Sequence, residues 1–363
     1  MRLNVYNLVH ITVNNAPKHI DTFLKNEYSL LIDKDNNTAT DILVEFTPDI
    51  TAHKNFITIS PPVGYDREGV FWFDMKGKVC RIELDDFEHK ATKVFCNNEF
   101  NLHFIAIIIE YLIGFKLLKK DVALCHASAF EWGDKVFMLP AWRHVGKTSI
   151  LLSFLRDGAK YISDDWVLFY KDGSIASLPK RLNLLYHNLT TFKFLYNHIP
   201  DPIKAYTEFI RYANEGHIDL DDGMLSFLQE QIRIRLDVEP IFGHSGDIKK
   251  NKCHSVIYLS REIHRIKNDI PLSFTPMNLD VMTTRVVQAV TFEQSHFHTL
   301  YIAHKAMTGR TEPFLENRHK KLTEIYRSGL NACQNKYLAS FYNSLDHVEL
   351  KQEILKTFPI TKL

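Results

Sequence analysis

From residue 1 to about 97 the chain alternates short apolar runs with polar breaks. The runs are Val5, Leu8–Val13, Ile42–Phe46, Phe56–Ile59, Val70–Phe73 and Val79–Leu84. The breaks are Asp33-Lys34-Asp35-Asn36-Asn37, Ser60-Pro61-Pro62 and Met75-Lys76-Gly77-Lys78. Apolar runs this short, bounded by turn formers, predict strands. A β-rich N-terminal domain is therefore expected over 1–97, a packing or recognition module without chemistry of its own. Glu99 to Leu118 reads differently: Phe100, Leu102, Phe104, Ile105, Ile107–Ile109, Tyr111 and Leu112 leave it apolar almost all round. Such a helix belongs in the interior of a larger domain, expected to span 98–309.

After Asp121 the pattern becomes strand, loop, helix, strand. Val122–Leu124 and Lys135–Leu139 read as strands, with Gly133-Asp134 as the turn before the second. Thr148–Arg156 reads as a helix stopped by Gly158, and Lys160–Ser163 as the next strand. Trp166–Tyr170 and Ser174–Leu178 flank Lys171-Asp172-Gly173, a hairpin signal. Thr191–Asn197, Ile203–Asn214 and Gly223–Leu236 suggest a helical insertion at about 185–237. A strand returns at Val256–Leu259, Asn278–Lys305 reads as one long helix, and Phe314–Leu345 as one or two more, within a C-terminal helical segment at 310–363. The expected class is α/β.

Composition narrows the function. The 363 residues suffice for two or three domains, and 45% hydrophobic with 24% charged residues is a globular balance. Lys+Arg 44 against Asp+Glu 43 leaves a net charge of +1, which argues against charge-driven binding to nucleic acid or an anionic membrane. Phe104 to Phe115, the longest apolar stretch, is broken by Glu110 and too short to span a bilayer. Cys80, Cys96, Cys125, Cys253 and Cys333 form no Cys-x-x-Cys pair, which points to a reducing compartment. With no apolar leader in the first residues, a cytoplasmic location is expected; homo-oligomerisation is left open.

Chemistry concentrates in one motif, Ala141-Trp142-Arg143-His144-Val145-Gly146-Lys147-Thr148. It fits G-x-x-x-x-G-K-[ST] with Ala in place of the first Gly. An apolar strand enters it and an apolar helix leaves it, so successive backbone N–H groups and a helix N-terminus would make an anion hole. Lys147 would reach the β- and γ-phosphates and Thr148 would ligate Mg²⁺. The second signal, Asp164-Asp165, ends the next strand. A parallel return would bring that end to the edge of the sheet where the loop lies. Paired carboxylates there can hold Mg²⁺ and accept a proton from a hydroxyl. Neighbours on a regular strand point to opposite faces, so both can serve only if the chain bends between them. The third signal, His126, lies in Leu124-Cys125-His126-Ala127-Ser128-Ala129, on the strand before the loop strand.

Together, His126-Ala127-Ser128, the loop ending Gly146-Lys147-Thr148 and Asp164-Asp165 resemble the HPr kinase/phosphorylase family and its related kinases. The spacing matches as well, with 21 positions from His126 to Lys147 and 17 from Lys147 to Asp164. The likeness covers roughly 118–180. It implies a fold akin to that of phosphoenolpyruvate carboxykinase, a phosphate loop gripping nucleotide, an aspartate base and an active-site histidine. These roles carry over to His126, Lys147, Thr148, Asp164 and Asp165 alone. Ala141, Arg143 and His144 depart from the family's small loop residues, and no later glycine-rich phosphorylase signature is found. A related kinase with another acceptor is therefore the reading. ATP with Mg²⁺ would donate its γ-phosphoryl group to a hydroxyl of a small molecule, peptide or protein serine. Ala141 to Ser149 (Ala141, Trp142, Arg143, His144, Val145, Gly146, Lys147, Thr148, Ser149) would hold the nucleotide. Asp164 would be the base, Asp165 with Thr148 would hold the metal, and His126 would orient acceptor or γ-phosphate; exchange of the two aspartate roles stays open.

Two alternatives remain. One is a nucleotide-binding regulatory protein of the same fold that transfers nothing. The other, a motor ATPase or GTPase switch, usually carries its metal-binding Asp farther along the chain. Pro179-Lys180-Arg181 and Arg261 are weaker phosphate or nucleotide candidates. His296, His298 and His304 do not share a helical face and are read as no metal site. His319-Lys320-Lys321 reads as a solvated face.

Overall fold

The computed structural model describes residues 1–33, 38–48, 50, 57–60, 63–66, 69–73, 78–218, 220–243, 250–261, 272–341 and 347–359. Phe56, the expected turns at 34–37, 61–62 and 75–77, and the 342–345 end of the last expected helix lie outside them. Two compact units emerge, and they interleave along the chain where the sequence reading drew contiguous blocks. The first comprises Met1–His126, Leu168–Leu178 and Asn278–Ala332; the second comprises Ala127–Val167, Pro179–Met277 and Cys333–Leu363.

In chain order the first unit opens with β1 (Arg2–Val5), β2 (Val9–Asn14), α1 (Lys18–Glu27), β3 (Ile42–Thr47), β4 (Ile57–Ser60), β5 (Val63–Asp66), β6 (Gly69–Phe73), β7 (Val79–Ile82), β8 (Thr92–Asn97) and α2 (Leu102–Leu118). The strands form one sheet in the order β1-β2-β3-β8-β7-β6-β5-β4. Strands β2, β3 and β8 run parallel and the others pair antiparallel. A parallel neighbour needs a crossover, and α1 lies within the connection from β2 to β3. Helix α1 was not expected from the sequence; it buries Ile20, Leu24 and Glu27, one turn apart. Helix α2 is buried along almost its whole length, as its all-round apolarity requires.

The chain continues through β9 (Val122–Trp132), β10 (Lys135–Pro140), α3 (Lys147–Arg156), β11 (Lys160–Ser163), β12 (Trp166–Tyr170), β13 (Ser174–Ser177), β14 (Leu182–Leu185), α4 (Tyr186–Thr191), α5 (Asp201–Asn214), α6 (Asp222–Glu230), β15 (Arg233–Leu236), α7 (Glu239–Phe242), β16 (Asn251–Lys252), β17 (Ser255–Arg261) and β18 (Ser273–Pro276). It ends with α8 (Leu279–Glu293), α9 (Ser295–Thr308), α10 (Pro313–Glu316), α11 (Arg318–Ala332), β19 (Asn335–Phe341) and α12 (His347–Thr357). In the second unit β10 pairs antiparallel with β9 and parallel with β17, which pairs parallel with β19; β18 closes on β19 antiparallel. Strand β11 pairs antiparallel with the other side of β9. It therefore runs in the direction of β10, as a β-α-β return should, but with β9 between the two.

Three expected helices resolve differently. Gly223–Leu236 is a helix only to Glu230. Its end is β15, where Ile234 and Leu236 are buried and Arg233 is exposed, an alternation of period two. Asn278–Lys305 is two helices, separated at Gln294. Residues 335–341 form β19, because pairing with β17 and β18 satisfies their backbone inside the sheet. The mixed α/β class stands. Among the described residues no helix is long and apolar enough to cross a membrane.

One hydrophobic core organises the second unit. Phe130, Phe137, Leu139, Ile150, Phe154, Leu184, Ile234, Ile257 and Phe341 belong to it, so the sheet, α3 and the insertion share an interior. Helix α12 joins α3 through the buried Lys351, whose Nζ donates to the Ser153 carbonyl at 2.8 Å and pairs with Asp157.

Candidate active site

The loop from Ala141 to Gly146 joins β10 to α3. Ala141 is fully buried, makes a parallel bridge to Leu259 and has no positive φ. It continues the strand, so the glycine missing from the motif's first position is not needed here. Left-handed backbone falls later, at His144 (φ 58°) and Gly146 (φ 109°). Gly146 precedes the first turn of α3 without a side-chain cap, leaving first-turn N–H groups for another acceptor. Lys147 is buried, with Nζ donating to the Trp142 carbonyl at 3.2 Å. Trp142 and Arg143 are exposed, and Val145 is buried.

The aspartate pair is placed by strand register. Ser163 lies opposite Ala129, so one step on sets Asp164 opposite Ser128. The next sets Asp165 opposite Ala127, whose N–H donates to the Asp165 carbonyl at 3.2 Å. The chain does bend at the pair: Asp165 has φ 64°, and the Trp166 N–H donates to the Asp164 carbonyl at 2.8 Å, the i→i+2 bond of a γ-turn. Asp164 is buried. Its Oδ1 accepts from the Ser128 hydroxyl and its Oδ2 from the Thr148 hydroxyl, the latter at 2.9 Å. The Asp165 side chain, 31% exposed, pairs with Lys180 Nζ at 3.2 Å.

Burial raises the Asp164 carboxyl to about 6, and the neighbouring Asp165 charge adds to the rise. The Ser128 and Thr148 hydroxyls and Lys147 pull the other way. A carboxylate in this position is stabilised by any cation that reaches it.

No protein-family model matches this sequence, and no curated protein matches it.

The structure brings Lys147, Thr148 and Asp164 together, with Asp165 one residue away. Thr148 meets Asp164 rather than Asp165. His126 belongs to the first unit, where its Nδ1 lies 3.4 Å from Glu293 Oε1 and both side chains are buried. Ser149 accepts from Asn188 Nδ2 at 3.1 Å. Of the weaker signals, Lys180 meets Asp165, Arg181 pairs with Asp237 at 3.1 Å, and Arg261 donates to the His144 carbonyl at 3.4 Å. His296 lies against Trp72 and His304 against Asp85, while Lys321 pairs with Asp121. Sequence reasoning named Ser128 only within the His126-Ala127-Ser128 segment, without a role, and did not single out Glu293. Ser128 was within reach, since it lies two residues after His126 on the same strand.

Proposed function

We propose that the chain is a phosphotransferase. It binds ATP at the loop 141–149 and moves the γ-phosphoryl group to a hydroxyl of a small molecule, a peptide or a protein serine. One observation carries this reading. The buried Asp164 carboxylate sits between the Ser128 and Thr148 hydroxyls beside a Gly-Lys-Thr loop, next in sequence to a second carboxylate. The resemblance to the HPr kinase/phosphorylase family supports it.

The residues fit Mg²⁺. A buried carboxylate raised towards neutral pH and an adjacent hydroxyl oxygen form the hard donor set that this ion takes. Thr148 and Asp164 would hold it, and once bound it offsets phosphate charge. This exchanges the two aspartate roles expected from the sequence. Lys147 leaves the Trp142 carbonyl for the β- and γ-phosphate oxygens, and the N–H groups at the start of α3 bind the same anion. Asp165, the more exposed carboxylate, takes the proton of the acceptor hydroxyl, and Lys180 fixes its orientation. The acceptor oxygen then bonds to the γ-phosphorus as the bridge to the β-phosphate breaks, and the nucleoside diphosphate departs with that bond's electrons.

The test has two arms. Calorimetry with Mg-ATP should show Lys147→Ala at least about tenfold weaker than wild type, from loss of a charge-assisted contact. Equal affinities would remove the phosphate-loop reading. Labelled ATP, screened against alcohol metabolites and serine peptides, should transfer label to an acceptor. Nucleotide binding with no transfer throughout would leave the regulatory alternative.

A further inference from the structure

The insertion comes back to the phosphate loop. Its two ends form a ribbon in which Leu185 pairs with Arg233, and Asn188, just past β14, donates to Ser149 of α3. On β15 the apolar Ile234 and Leu236 are buried while Arg233 is exposed. From β17, Arg261 donates to the His144 carbonyl. Basic groups from three elements thus gather at the loop. Burial first, then the charges of Arg143, Lys147 and Arg233, hold the His144 imidazole below its usual range, with Glu230 opposing. His187 is lowered by burial, then by His144 and Arg261.

Like charges brought together repel, and an anion placed among them would relieve the repulsion. The guanidinium fork matches the oxygens of phosphate or carboxylate. Donor phosphates already have the loop N–H groups and Lys147. His187 and Arg233 lie on the insertion, and Arg261 on β17. Phosphoryl transfer sets donor and acceptor on opposite sides of the phosphorus, so an anionic acceptor needs partners other than the loop N–H groups and Lys147.

We propose that His187, Arg233 and Arg261 form a second anion subsite beside the phosphate loop, and that the acceptor is an alcohol that also carries a phosphate or carboxylate group. The acceptor assignment rests on the phosphotransferase reading; the subsite itself does not.

Inorganic phosphate is the probe. Calorimetry on protein saturated with Mg²⁺ and β,γ-imido-ATP should show phosphate binding. His187→Gln and Arg233→Gln should each weaken it at least about tenfold, Arg233 through a lost charge-assisted contact and His187 through loss of the imidazolium that a bound anion favours, with Mg-ATP affinity within about twofold of wild type. Both side chains are exposed, and each variant tests the idea separately. Titrations with glycerol 3-phosphate and glycerate then separate phosphate from carboxylate recognition. Absence of phosphate binding, or equal binding by wild type and both variants, would overturn the subsite. So would an equal loss of Mg-ATP affinity in the variants, because the cations would then serve the donor. If wild type binds no Mg-ATP, the phosphate-loop reading fails on its own, and the phosphate titration is run on nucleotide-free protein. Dependence on His187 and Arg233 there still supports the subsite, and dependence on Lys147 alone overturns it.

Discussion

The sheet of the first unit and the strands around the phosphate loop bury their residues in different ways. Strands β2, β3 and β8 alternate buried and more exposed positions, the mark of a sheet with one covered face. Strands β9, β10 and β17 are buried at nearly every successive position, the mark of a sheet covered on both faces. Buried charge differs as well. In the first unit, Lys116 donates to the Phe87 and Lys90 carbonyls at 2.5 and 2.9 Å, and burial lowers it to about 8. Its partners are backbone groups that complete a packing arrangement. In the second unit, Asp164 has two hydroxyls and an acidic neighbour, and burial raises it to about 6. In the first the fold itself supplies the hydrogen-bond acceptors, and the second is improved by an incoming cation. That difference separates a buried charge that serves packing from one that serves chemistry.

The largest effect should come from the site. Asp165→Asn removes the proposed base and should cut transfer by roughly 10²–10⁴-fold while Mg-ATP affinity stays near wild type. Steady-state rates with an identified acceptor, together with calorimetry, check both parts. An undiminished rate would remove Asp165 as the base, and an undiminished rate for Asp164→Asn as well would make the pair structural and erase the contrast drawn above.

In the alternating sheet the expected loss is of stability alone. Ile11 is fully buried on β2, and Ile11→Ala should cost about 2–5 kcal/mol in urea unfolding. Mg-ATP affinity of the folded variant should not change. A large change in affinity would mean that the sheet does more than pack.

Asp164→Asn should act in the opposite direction on stability. The folded carboxyl titrates near 6 against an ordinary value of 3.8, so the unfolded chain loses this proton first as pH rises. Wild-type stability should fall relative to the variant between about pH 4 and pH 6, and the metal-free variant should be more stable at neutral pH by roughly 2–3 kcal/mol. Urea unfolding across that range checks the sign. A pH-independent difference would show that the carboxylate is already compensated within the fold.

The smallest effect concerns the loop backbone. His144 holds a left-handed φ of 58°, which costs a residue with a Cβ about 1–2 kcal/mol. His144→Gly relieves that strain but adds freedom to the unfolded chain, so a net gain of roughly 0.5–1 kcal/mol is expected in thermal unfolding. A loss instead would mean that the imidazole contributes to holding the loop.

Legibility follows the same division. The N-terminal strands could be read because one wet face writes period two into the sequence. Helix α1 could not, since its apolar positions are few and only packing made them a face. The loop and the aspartate pair were visible as short motifs, because a phosphate-binding turn needs particular residues close together. Strand β15 is hidden in the sequence although Arg233, Ile234, Arg235 and Leu236 alternate, because four residues are too few to stand apart from the helical spacing of α6 just before them. Strand β19 depended on neighbours distant in the chain: Tyr337 pairs with Ile257.

By itself the sequence determined the mixed α/β class, the place of the loop between a strand and a helix, and the need for a bend at Asp164-Asp165. Each depends on residues a few positions apart, where spacing constrains geometry directly. The tertiary structure decided which aspartate meets Thr148, that Ser128 shares it across 36 positions, and that the insertion returns to the loop. Those contacts follow from strand register and core packing. Register is set by whole strands pairing, and a one-residue slip would reverse which aspartate faced the hydroxyls.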